Sequence, residues 1–119
     1  KDLEEKPIID ERTAIILMSH DFKTDKNNLK SLIKSKSPYI GSLGPKIRFE
    51  KMIKELSDEE LNFSKDELSR VFAPCGLEIG ANTPEEITAS IFAEILAVFS
   101  NKEGGSLKNK QGPIHERDN

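Results

Sequence analysis

A chain of 119 residues, 35% hydrophobic and 33% charged, holds one small domain or a piece of one; Trp is absent and Tyr occurs once, so aliphatic side chains must fill the core. A net charge of -3 excludes bulk nucleic-acid binding, and no apolar run reaches membrane-spanning length. A single cysteine, Cys75, excludes an internal disulfide framework and a cysteine-built zinc site; with no signal-peptide pattern at the start, it fits a reducing cytoplasm.

Residues 1–12 read as a charged lead-in or linker, as expected of a chain cut from something longer. Thr13-Ala14-Ile15-Ile16-Leu17-Met18 is a short apolar run rich in β-branched residues. That pattern predicts a strand buried on both faces of a parallel sheet, ending at Ser19-His20-Asp21. An amphipathic helix is expected over 25–35: Leu29, Leu32 and Ile33 share one face, and Lys26, Lys30 and Lys34 another. Pro38-Tyr39-Ile40-Gly41-Ser42-Leu43-Gly44 reads as a second strand running into a glycine turn. Pro45 suits the first position of a helix over 46–56.

Ser64 and Glu67 form a capping-box pair for a short helix, and Val71-Phe72-Ala73 is a candidate third strand. Thr83-Pro84-Glu85-Glu86 is the sharpest local signal, with an N-cap, a proline in the first turn and a second capping box. The helix it opens is expected to run to about residue 100, stopped by Gly104-Gly105. It is apolar almost all round, as for a helix buried in the domain or against a partner. Its one polar stripe, Glu86, Ser90 and Glu94, is either a narrow solvated face or the lining of a cleft. Residues 102–119 form a polar tail.

Strand and helix alternate, so the fold class is α/β, with a parallel sheet flanked by helices. Two or three strands leave open edges. The sheet is therefore expected to be incomplete, finished by an upstream segment or a second chain.

Charge is unevenly spread. Lys23 to Lys54 holds nine Lys/Arg and two acids, whereas Glu55 to Glu103 holds three Lys/Arg and eleven acids. These are either two solvated helix surfaces of opposite sign or part of a site for a phosphorylated small molecule. In an open parallel sheet, ligands bind beyond the carboxyl ends of the strands. His20 and Asp21 end the first strand; Gly41, Gly44, Lys46 and Arg48 follow the second. Parallel pairing would bring both sets to one edge. The turn lets backbone approach a ligand, the next helix offers free N–H groups, and Lys46 and Arg48 add positive charge, a combination that suits an anion. Alternatively the glycines only satisfy turn geometry, the cations are solvated, His20 is structural, and Asp21 and Asp25 cap the following helix. Cys75 has no cationic neighbour in sequence to activate it and reads as a packed thiol. The chain lacks both G-x-G-x-x-G and G-x-x-x-x-G-K-[ST], and has no Cys/His cluster at metal-ligand spacing.

Three stretches resemble the xanthine dehydrogenase accessory (XdhC/CoxI) family. They are Thr13 through Phe22, with Asp25 and Leu29 after it; Pro38-Tyr39-Ile40-Gly41-Ser42-Leu43-Gly44-Pro45-Lys46, with Arg48; and Ala73-Pro74-Cys75-Gly76-Leu77-Glu78-Ile79-Gly80-Ala81-Asn82-Thr83-Pro84-Glu85-Glu86-Ile87, continuing to Glu94. In order and spacing they cover most of residues 10–99. The resemblance implies that 13–101 is the C-terminal part of a Rossmann-like domain. It implies a maturation factor for a molybdenum hydroxylase, one that binds molybdenum cofactor, assists its sulfuration with a cysteine desulfurase and hands it to the client enzyme. Molybdopterin phosphate or a nucleotide would suit the anion site. The family's N-terminal domain and Gly-rich first βαβ unit have no counterpart in this chain. Position 75 is usually aliphatic in the family, so no sulfur-carrier role passes to Cys75. Two other readings stand beside this one: part of a nicotinamide-dependent oxidoreductase, and a dimerisation module built on the apolar helix and open sheet edges.

Overall fold

The computed structural model describes residues 8–113. Its elements are β1 (Ala14–Leu17), α1 (Phe22–Leu32), β2 (Tyr39–Ser42), α2 (Lys46–Asp58), the short α3 (Lys65–Leu68), β3 (Val71–Phe72), α4 (Pro84–Ser100) and a 3-10 turn at Leu107–Asn109. The strands lie in the order β1-β2-β3, all parallel. Ala14 is level with Tyr39 and Leu17 with Ser42, and Ile40 is level with Val71. This is the small parallel α/β sheet expected of a Rossmann-like domain.

Alternation along the strands sorts residues onto two faces. Leu17 and Ile40 point to one face, where Leu29 and Ile33 near α1 and Met52 and Leu56 of α2 close over them as a fully apolar core. Tyr39 and Gly41 point to the other face, toward α4 and the loop before it. All four residues of β2 are buried, as befits the middle strand. Gly41 sits within it because a Cβ there would come within 2.9 Å of the Tyr39 ring and 3.0 Å of Cys75.

Polar ties at the amino ends of the strands hold the layers in place. Arg70 donates to the carbonyls of Ile33, Ser35 and Ser37, satisfying acceptors left open where α1 ends. The buried Ser37 hydroxyl donates to the Thr13 carbonyl and accepts from the Tyr39 N–H. Lys26 joins α1 to α2 through Glu55 and Glu59, at 3.1 and 3.0 Å.

Three local expectations need correction. α1 starts at Phe22 rather than 25, because Asp21 is the N-cap and accepts from the Thr24 N–H. That places Asp25 inside the helix. α4 stops at Asn101, not at the glycine pair. Asn101 adopts the left-handed conformation, and the Lys102 N–H donates back to the Ala97 carbonyl at 2.8 Å. Finally, only the start of the polar stripe of α4 is solvated: Glu86 is exposed at the capping box. Ser90 is only 4% exposed and Glu94 points at the sheet, while Phe92, Leu96 and Phe99 face outward.

Candidate functional site

The loops after β1 and β2 leave from the same edge, and the Leu43 N–H donates to the Leu17 carbonyl at 3.1 Å, tying them together. A pocket of ≈ 330 Å³ opens between them. Ser19 and His20 line it from the first loop, Leu43, Gly44 and Pro45 from the second, and Arg48 from α2, with Met18 at its edge. Gly44 has φ +106°, a conformation that bars an ordinary side chain and turns the chain into α2. Pro45 is the N-cap and provides no side-chain acceptor, so the N–H groups of the first turn of α2 are not capped by it.

Three of the six residues singled out in the sequence, His20, Gly44 and Arg48, therefore meet around one pocket. The other three lie apart from it. Asp21 is exposed and engaged by the Thr24 hydroxyl and N–H, whose hydrogen bonds hold its carboxyl below the usual range. Gly41 is packed inside β2. Lys46 is exposed beside a different groove, with Phe49, Ile53 and Val71. Helical geometry separates Lys46 from Arg48, since residues two apart in a helix point about 200° away from each other.

Asp25, offered by the sequence as a helix cap and as part of the family resemblance, takes a different place. It is 1% exposed, and its carboxylate accepts from Arg48 Nη1 at 3.1 Å and from the Ser19 N–H at 3.3 Å. The Phe22 ring lies 5.7 Å from the Arg48 guanidinium carbon, within cation–π range. A carboxylate three residues into a helix is common in sequence, so nothing in the pattern alone separates this one from a solvated neighbour.

A second polar cluster lies on the opposite face. Glu94 Oε1 accepts from the Tyr39 hydroxyl at 2.7 Å and from the Gly76 N–H at 2.6 Å. Burial, and after it the Glu94 carboxylate, push the Tyr39 hydroxyl well above its ordinary value. Burial also pushes the nearby Cys75 thiol up, with the Glu94 charge adding to it. The thiolate, which is the reactive form, is suppressed there. Among the described residues no group of His, Cys, Asp and Glu is arranged to hold a metal ion.

The model of the XdhC Rossmann domain matches residues 1–95. The chain belongs to the XdhC family. Among curated XdhC relatives, YqeB of Escherichia coli, an uncharacterised protein, is 33% identical over 75% of this chain and 16% of its own length. PaoD of Escherichia coli, a molybdenum cofactor insertion chaperone, is 30% identical over 82% of this chain and 30% of its own length. A probable xanthine dehydrogenase subunit from Bacillus subtilis is 31% identical over 70% of this chain and 22% of its own length. Among solved structures, a xanthine dehydrogenase from Bacillus halodurans matches with a TM-score of 0.63 and 27% identity, over 80% of this chain and 26% of that one. This chain thus spans less than a third of each relative. The matched region holds the pocket, the Asp25–Arg48 pair and Glu94 together.

Proposed function

We propose that this XdhC chain is the anion-receiving part of a maturation factor for a molybdenum hydroxylase, and that its pocket takes the phosphate end of molybdenum cofactor. The carrying observation is that two parallel strand ends converge His20, Gly44 and Arg48 on one rim. The donor set fits the group: guanidinium, imidazole and the uncapped start of α2 all offer N–H to a phosphate. At ≈ 330 Å³ the pocket sits at the low end of small-molecule sites, enough for a phosphate-bearing head with the pterin beyond the rim. Support for the cofactor's identity is the description of PaoD as an insertion chaperone. The chemistry the cofactor supplies belongs to the client enzyme; here Arg48 and His20 bind and orient it, and Gly44 lets backbone approach. Client docking, sulfuration with a cysteine desulfurase and a cytoplasmic setting complete this reading.

Titration with molybdenum cofactor tests it. Binding should saturate, weaken roughly tenfold or more in Arg48→Gln, and change less than about twofold in Lys46→Ala, whose side chain lies off the pocket. Arg48→Gln is preferred to Ala because its amide can still meet Asp25. Absence of saturable binding would end the reading, as would equal losses in the two variants.

A homodimer is a further part of the proposal, favoured by one specific observation. β1 has a partner on one side only among the described residues, and beside it Ile16, Met18, Ile87, Ile91, Phe92 and Ile95 line an almost wholly apolar groove of ≈ 580 Å³. An open strand edge beside an apolar groove is the kind of surface that a second copy of the chain covers. Sedimentation should give a dimer that Phe92→Glu converts to monomer; a wild-type chain that sediments only as monomer refutes it.

A further inference from the structure

Asp25 touches both walls of the pocket from behind. One carboxylate oxygen accepts the N–H of Ser19, the neighbour of His20, and the other accepts Nη1 of Arg48 on α2. We propose that Asp25 is a positioning residue for anion capture, holding the Arg48 guanidinium and the Ser19–His20 backbone at the separation that a phosphate group bridges. This rests on the anion reading of the pocket given above.

Burial argues for a role beyond stability. A carboxylate at 1% exposure must be compensated, and replacing a buried ion pair by apolar residues of similar size is often neutral or stabilising. The neighbouring buried positions Leu29 and Ile33 are apolar, yet this one is charged. It is also placed where the core meets the pocket rather than at the core's centre. Arginine has many rotamers, and a loose guanidinium loses its freedom on binding. Asp25 grips Arg48 on one side and the Phe22 ring lies close to it, so the remaining N–H donors of the guanidinium are set before a ligand arrives.

Asp25 also carries a negative charge, which by itself would repel an anion. That repulsion acts through a pocket open to water, where screening is strong. The loss of guanidinium order acts on a direct contact. Positioning therefore outweighs repulsion, and removing the charge should weaken binding rather than tighten it.

The probe is inorganic phosphate, titrated into the chain while the backbone amide resonances of Leu43 and Gly44 are followed. The two donors meet different oxygens of Asp25, so Asp25→Asn turns an NH2 donor toward either Ser19 N–H or Arg48 and loses that contact. Its phosphate dissociation constant should rise roughly fivefold or more, and should not change further when the substitution is made in an Arg48→Gln background. A merely structural role would lower the melting temperature without this coupling. Unchanged or tighter phosphate binding by folded Asp25→Asn overturns the proposal while leaving the pocket reading intact. No saturable shift in the wild-type chain overturns the pocket reading itself. Should Asp25→Asn not fold, Asp25→Glu keeps the charge but displaces the guanidinium, and wild-type affinity in that variant overturns the proposal equally.

Discussion

Glu94→Ala is expected to destabilise the fold by about 3 kcal/mol, lowering the melting temperature by on the order of 10 °C. Glu94 is the acceptor for two donors at once, the Tyr39 hydroxyl and the Gly76 N–H. Tyr39 is wholly buried, so no water replaces the lost partner. A donor left unsatisfied inside a protein costs about 1–3 kcal/mol, more than the bond itself contributes when both partners are present. Glu94→Gln keeps an acceptor oxygen and should lose only about 1 kcal/mol. The same contact sets an alkaline limit. The Tyr39 hydroxyl is raised above its ordinary value of 10.0, so the folded state favours the neutral phenol. Its contribution is complete below about pH 10 and is lost as pH rises beyond that. Thermal melts across pH check both points. An alanine variant that melts like wild type would refute this role for Glu94.

Arg70→Ala should cost about 2–3 kcal/mol, seen as a lower urea midpoint with an unchanged slope. One guanidinium serves three carbonyls, Ile33 at 2.7 Å, Ser35 at 3.0 Å and Ser37 at 2.8 Å. These close the end of α1 and fix the connection into β2. Arg70→Lys should recover less than half of the loss, because an ammonium lacks the flat fork that reaches separated acceptors. Lys34→Ala is the contrasting control. Its pair with Glu67 lies at the surface, 68% exposed on the lysine side, and should matter by less than about 0.5 kcal/mol. A loss from Lys34→Ala equal to that from Arg70→Ala would contradict this account.

The parallel sheet could be read from the chain because burial on both faces leaves a mark in composition. Tyr39–Ser42 is buried throughout, whereas Ala14–Leu17, which carries the same mark, lies at the edge among the described residues with only Leu17 fully buried. Capping chemistry is equally local, so Thr83 and Glu86 announced the start of α4 correctly. What eluded the sequence was long-range or directional. Asp25 and Arg48 are separated by an entire strand, and nothing near either signals the other. The stripe of α4 had the usual look of a solvated face, yet Glu94 meets donors on Tyr39 and Gly76 that only the assembled fold brings near. Lys46 and Arg48 looked like one cluster because they are close in sequence, whereas the helix turns them apart. Of the six candidates, His20, Gly44 and Arg48 line the pocket, and the rest of its lining depended on which way side chains point.

Every residue of β2 is enclosed, with a strand on either side and packed layers above and below. None of its side chains is therefore free to meet a guest molecule. In the proposed reading, recognition falls to the loops that leave the sheet, whose residues can be exchanged without disturbing the scaffold beneath. Such a division lets a lineage diversify what it captures while inheriting one unaltered frame.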